Sequence, residues 1–181
     1  MVRFQRQPPG TAPTRAALVL GAGLAGTAAW AIVVWEPVIA ASLAATSGAS
    51  LLVGGHRANH GAGGPVDRML GELLDRAWDG CVLGAIAWAA RDTEPAVAVG
   101  ALVALCASFL SSYVRARGAA LAYSVEERHV TRGIRYVLLS LGLAGGWLGW
   151  TVWAAAAISA LAAAVRTGQV AGEERVFRTR A

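Results

Sequence analysis

A chain of 181 residues has room for one domain. Apolar types make up 56 % of it and charged types only 15 %, against roughly 25 % charged in a soluble domain, which points to a protein of the bilayer. All 16 basic residues are arginine, so the net charge of +5 sits on groups that stay ionised and can grip phosphate through two nitrogens. A water-soluble nucleic-acid reader would not bury this much of its chain, and nucleic acid is not an expected partner.

Charge-poor stretches recur along the chain: Ala16 to Trp35, Val38 to Val53, Met69 to Ala90, Pro95 to Val114, and a long tract from Tyr136 to Val165. A crossing helix needs about 20 residues. The first run is long and further apolar runs follow it, as expected of a first span rather than a cleavable leader. The last tract would measure roughly 45 Å as one helix, so it divides at Gly145-Gly146, with the fifth span beginning near Arg132. The expected fold is all-α, with six transmembrane helices over residues 16–165, a leading segment 1–15 and a basic tail 166–181. Cys81 and Cys106 fall in apolar stretches and are expected to be small core residues.

Arginine placement supports six spans. Arg3, Arg6 and Arg15 precede span one, and Arg57 and Arg68 separate spans two and three. Arg115, Arg117, Arg128, Arg132 and Arg135 lie between four and five, and Arg166, Arg175, Arg178 and Arg180 follow six. Arg91 alone falls in a loop on the other side. The positive-inside rule then puts both termini in the cytoplasm of a multi-pass cell-membrane protein.

The first span contains "LVLGAGLAG", which fits the Gly-x-Gly-x-x-Gly pattern of dinucleotide-binding folds. That fold needs strand, turn, helix and second strand, with an acidic residue about 20 positions on. Glu36 comes ten residues after Gly26, and membrane sequence follows. Gly21, Gly23 and Gly26 are better explained as small residues that let neighbouring helices approach.

The third span opens "MLGELLDRAWDG", where Gly71, Asp75 and Asp79 are spaced four apart and share one helix face. Carboxylates inside a span usually line a site or a water-filled cavity. A plainer reading pairs Glu72 with Arg76 at i, i+4 and the aspartates with arginines of other spans. After span four comes "SSYVRARGAALAYSVEERHVTRGIR", whose Arg115, Arg117, Arg132 and Arg135 return to the end where the aspartates begin. Membrane proteins anchor with such arginines in any case. Carboxylates able to hold a divalent metal, facing guanidinium groups able to hold phosphate, suggest phosphoryl-type transfer at the membrane surface.

At these residues the chain resembles the CDP-alcohol phosphatidyltransferase family. "GELLDRAWDG" is similar to the second half of that family's signature, D-x-x-D-G-x-x-A-R followed after about eight residues by G-x-x-x-D-x-x-x-D. "SSYVRARGAALAY" resembles its S-Y-x-R-A-R segment, "TRGIRYVLLSLG" its later R-G-x-R helix start, and "TAPTRAALVLGAGLAG" its entry into span one. The resemblance implies transfer of a phosphatidyl group from a CDP-linked lipid to an alcohol, such as a phosphorylated polyol, with release of CMP, in phospholipid synthesis. It implies Mg²⁺ or Mn²⁺ on Asp75 and Asp79, with Asp79 a ligand or the base that takes the alcohol's proton. Gly71 would allow close approach, and Arg115, Arg117 and Arg132 would grip a phosphate on the acceptor.

The sequence departs from the signature in its first half. No Asp or Glu occurs between Glu36 and Asp67, where "LLVGGHRANHGAGGPVDR" stands in place of the first aspartate pair. His56 and His60, with Asp67 nearby, are the only candidates for a rebuilt site there. Histidine suits transition metals better than Mg²⁺, and Gly61, Gly63 and Gly64 make the segment read as a loop. The alternative to an enzyme is therefore a catalytically degenerate relative, a non-catalytic partner in a homodimer or in a heterodimer with an intact family member. A small transporter, which the intramembrane carboxylates would allow, lacks support from any internal repeat.

Overall fold

The computed structural model describes residues 12–59, 64–121, 123 and 129–180. The described residues form six helices: α1 (Ala12–Val33), α2 (Pro37–Arg57), α3 (Pro65–Ala90), α4 (Pro95–Ala120), α5 (His129–Gly145) and α6 (Leu148–Arg180). Three of them start at proline, whose fixed φ suits the first turn and whose missing N–H has no partner to lose there. Each expected span coincides with a helix. The glycine-rich segment lies wholly inside α1, with no strand among the described residues, so the dinucleotide reading has no structural basis.

Four helices are long and apolar enough to cross a membrane: α1, α2, α4 and the Leu148–Gly172 part of α6. The other two are α3 and α5. α3 carries Asp67, Arg68, Glu72, Asp75, Arg76 and Asp79, and α5, with Arg132 and Arg135, has 17 residues, roughly 25 Å at 1.5 Å per residue. α6 continues beyond the expected span end at Val165 as unbroken helix to Arg180.

Two tight turns close one end of the bundle. After α1, Glu36 N–H donates to Ala31 C=O (2.9 Å) and Trp35 N–H to Ile32 C=O (3.2 Å), with Trp35 left-handed at φ 61°. After α5, Trp147 N–H donates to Gly142 C=O (3.0 Å) around Gly146 at φ 70°. Both are Schellman-type stops. Trp35, Glu36, Glu94, Gly146 and Leu148 line one cavity of about 410 Å³, so the α1–α2, α3–α4 and α5–α6 turns lie together. Trp30, Trp35, Trp88, Trp147 and Trp150 are exposed near these turns, the placement of an interfacial aromatic belt. At the opposite end, Arg15 at the start of α1 pairs with Asp67 at the start of α3 (2.7 Å).

The core is built from small side chains. α1 packs on α2 and α3, α4 on α3 and α6, and α5 on α2 and α6. Between α1 and α2 two glycines oppose two leucines reciprocally: a Cβ on Gly21 would lie 2.8 Å from Leu51, and one on Gly54 would lie 2.8 Å from Leu18. Ser47 Oγ donates to the Gly21 carbonyl at 2.6 Å across the same contact. Gly23 and Gly26 face open space. Helix approach therefore explains Gly21 alone among the three, because only it lies on the contact face. Cys81 is half-buried, whereas Cys106 points outward from α4 and is not the core residue its apolar surroundings suggested.

Candidate functional site

The site is assembled from polar positions on four helices. On α3, Asp75 and Asp79 are both buried, Asp79 completely. On α4, Ser108 and Ser111 are buried one turn apart. α5 supplies Arg132, Arg135 and Tyr136, and α6 supplies Ser159 and Arg166. Each set recurs every three or four residues, or seven in α6, so a helix turns it to one side. Packing of α3 on α4, and of α5 and α6 behind them, brings the sides together.

Asp75 accepts from the hydroxyl of Tyr136 at Oδ1 and from Arg76 at Oδ2, with Arg132 Nε 3.3 Å from Oδ2. Asp79 Oδ2 accepts from Ser108 Oγ and from Arg135 Nη2 (2.9 Å), and Arg76 Nη1 lies 3.0 Å away. Its Oδ1 is 2.8 Å from Arg135 Nη2, an ion-pair contact without hydrogen-bond alignment. Arg76 also donates to the Ser108 carbonyl (3.0 Å) and hydroxyl. Trp78 is fully buried beside the cluster, its ring centroid 4.1 Å from that of Tyr136. Three guanidinium groups thus meet two buried carboxylates, where an unpaired charge would cost several kcal/mol.

Two openings reach this cluster. One, of about 200 Å³, is lined by Gly55, His56, Gly71, Asp75, Arg132 and Tyr136. The other is narrow and strongly basic, with Arg76, Arg132, Arg135 and Arg166 facing hydroxyls of α4, α5 and α6. Arg166 Nη1 donates to the Ser111 carbonyl at 3.1 Å and to its hydroxyl, and Arg135 Nη1 donates to Ser159 Oγ at 3.5 Å. Arg132 lines both openings.

The residues singled out from sequence are distributed as follows. Asp75, Arg132 and Gly71 share the first opening. Asp79 sits behind them, out of contact with solvent. A Cβ on Gly71 would meet Gly55 Cα at 3.7 Å, ordinary contact, so the glycine marks the nearness of α2 without being sterically required. Arg115 pairs with Glu72 (2.7 Å) at the rim of a shallower groove that also includes Arg132. Arg117 is exposed in the last turn of α4, outside these linings. The expected Glu72–Arg76 pair does not form. Glu72 reaches across to α4, and Arg76 turns inward because two carboxylates and a serine lie there.

Arg76, Tyr136 and Ser108 were not anticipated as site residues. Arg76 stands next to Asp75 and three before Asp79, on their side of α3. Ser108, Ser111 and Arg115 form a polar stripe in an otherwise apolar span, and that spacing was the available signal.

The Mg²⁺ or Mn²⁺ that the resemblance implies can be tested against these donors. It does not fit: every carboxylate oxygen of Asp75 and Asp79 already faces a guanidinium or hydroxyl group. Among the described residues no group of three His, Cys, Asp or Glu side chains is placed to hold a metal ion. His56 ends α2 on the wall of the first opening, in helix rather than loop. His60 lies outside the described residues, and Asp67 is taken up by Arg15 and the Gly64 N–H.

No protein-family model matches the chain. Among curated proteins it is similar to the phosphatidylinositol phosphate synthase of Corynebacterium glutamicum, 37 % identical over 90 residues. The match covers 47 % of this chain and 41 % of the relative's length. The likeness therefore spans under half of either sequence.

Proposed function

We propose that this chain is a CDP-alcohol phosphatidyltransferase-like membrane protein of phospholipid synthesis, crossing the bilayer six times with both arginine-rich ends in the cytoplasm. The observation that carries the reading is the convergence of Asp75 and Arg132 on one opening at the arginine-rich end. The partial likeness to a phosphatidylinositol phosphate synthase supports it. The substrates of this reading are a CDP-linked lipid and an alcohol that carries a phosphate. The alcohol oxygen forms a bond to the lipid-bearing phosphorus as the bond to CMP breaks. Arg132 and Arg115 hold phosphate oxygens, where preorganised guanidinium groups stabilise developing charge. In this reading Asp75, which lines the opening, takes the alcohol's proton. The same role for Asp79 requires the site to open, because Asp79 is sealed behind Asp75 and holds Arg76 and Arg135.

A second reading has its own supporting observation. The carboxylates are neutralised by the chain's own arginines, and the first aspartate pair is missing, as suits a non-catalytic partner of an intact relative. One assay separates the two. Purified protein is given CDP-diacylglycerol and a panel of free and phosphorylated alcohols, with Mg²⁺, Mn²⁺ or chelator, and CMP is measured. The transferase reading expects alcohol-dependent CMP release that Asp75→Asn and Asp79→Asn abolish. It expects Arg132→Ala to weaken KM for the phosphorylated acceptor by about tenfold, the loss of one charged hydrogen bond. If no acceptor yields CMP, that reading fails, and co-purification with an intact phosphatidyltransferase establishes the second.

A further inference from the structure

Arg76 divides its two terminal nitrogens between the carboxylates on either side of it: Nη2 contacts Asp75 Oδ2, and Nη1 lies 3.0 Å from Asp79 Oδ2. A bridging divalent cation would make the same two contacts. We propose that Arg76 occupies the place of that cation, so that Asp75, Arg76 and Asp79 form a metal-independent cluster that takes up neither Mg²⁺ nor Mn²⁺.

Three independent features lead there. The first is charge. Arg132 and Arg135 add to Arg76, so three guanidinium groups surround two carboxylates and the cluster already carries one positive charge in excess. A divalent ion would enter a buried site of its own sign. Arginine does not lose its proton in the physiological range, so no ordinary pH empties the position. The second is donor geometry. The Tyr136 and Ser108 hydroxyls donate to Asp75 Oδ1 and Asp79 Oδ2 from two further helices, and guanidinium groups face the other two oxygens, so a cation would have to displace an arginine to gather the near-octahedral shell that Mg²⁺ requires. The third is in the sequence: no acidic residue lies between Glu36 and Asp67 to complete a ligand set. The Arg76 side chain is 16 % exposed and also held by Ser108, so it is a built-in part of the core. The inference concerns cation uptake at the Asp75–Asp79 site and holds whether or not the chain turns over.

The test uses the full chain in detergent or nanodiscs. Mn²⁺ binding is followed by loss of the free-ion electron paramagnetic resonance signal, and thermal unfolding is recorded with chelator and with excess Mg²⁺. The wild type is expected to bind no Mn²⁺ up to millimolar concentration and to melt at the same temperature in both media. Saturable Mn²⁺ binding in the micromolar range, or a melting point that rises with Mg²⁺, overturns the proposal. Arg76→Ser removes the internal cation and is expected to acquire Mn²⁺ binding or a Mg²⁺-dependent melting point. A folded Arg76→Ser protein that binds no Mn²⁺ refutes the role given to Arg76. If that variant does not fold, the wild-type titration still decides. CMP release is scored separately, so failure of the transferase reading leaves these outcomes unaffected.

Discussion

Asp67 shows how one side chain ties two helices at one end of the bundle. It opens α3, accepts from Arg15 Nε at 2.7 Å and from the Gly64 N–H at 2.9 Å, and so caps its own helix while holding α1. The hydrogen bond from Arg15, joined by that from Gly64, holds its carboxyl below the usual carboxylate range. A lowered folded-state pKa contributes stability above the unfolded value of about 3.9, and that stability is lost as pH falls through the folded value. Wild-type protein is therefore expected to lose thermal stability between neutral pH and about pH 3. Asp67→Asn is expected to start lower at neutral pH and show a flatter profile. Melting curves across that range check it, and a variant profile as steep as the wild type's rules out Asp67 as the titrating group. At the Asp75–Asp79 cluster the same donor-acceptor logic works deeper in the bundle: each carboxylate is held by guanidinium groups and by a hydroxyl from another helix.

The helices meet through glycines whose positions differ in what they face. Gly54 and Gly21 accept Leu18 and Leu51 at distances no Cβ tolerates, and Gly48 does the same for the Tyr136 ring, with a Cβ 2.7 Å from it. Gly23 looks into open space. A larger side chain at Gly54 must displace Leu18, which is fully buried, and overpacking costs about 1–3 kcal/mol. At Gly23 the helix gains propensity of about 0.8–1.0 kcal/mol on substitution by alanine, with nothing to displace. Gly54→Val is thus expected to lower the melting temperature and Gly23→Ala to leave it unchanged or raise it. Equal losses at the two sites would show that α1 does not pack on α2 in this register. Gly48 also links element to site, because the helix that seats Tyr136 against it is the helix that brings the Tyr136 hydroxyl to Asp75.

For the whole molecule, the two ends of the bundle have opposite chemistry. Exposed tryptophans gather at the α1–α2, α3–α4 and α5–α6 turns. Arg15, Arg115, Arg117 and Arg166 lie at or toward the other end, together with the openings to the cluster. Arg91 is the exception, stacked over Trp88 at 4.0 Å and paired with Asp92. Six crossings with cytoplasmic termini predict that a reporter fused after Ala181 is active in the cytoplasm and that one inserted at the Arg91–Glu94 turn is not. The opposite pattern would place the arginine-lined openings on the wrong side for a nucleotide-linked lipid. Agreement of both reporters on one side would mean that one of the three helices between them, α4, α5 or α6, does not cross.

Much of this was legible in the sequence because it depends on composition and local period. Hydropathy placed the helices, and the i, i+4 spacing put Asp75 and Asp79 on one face of α3. The return of Arg132 and Arg135 to that end followed from counting charge-poor stretches. The tertiary structure decided which charge meets which. It turned Arg76 inward to two carboxylates instead of outward to Glu72, sent Arg115 to Glu72, sealed Asp79 behind Asp75, left Arg117 exposed, and tied Asp67 to Arg15. Period fixes the direction in which a side chain leaves its helix. Its partner is fixed by contacts between helices 29 to 61 residues apart in sequence, and no local pattern records those.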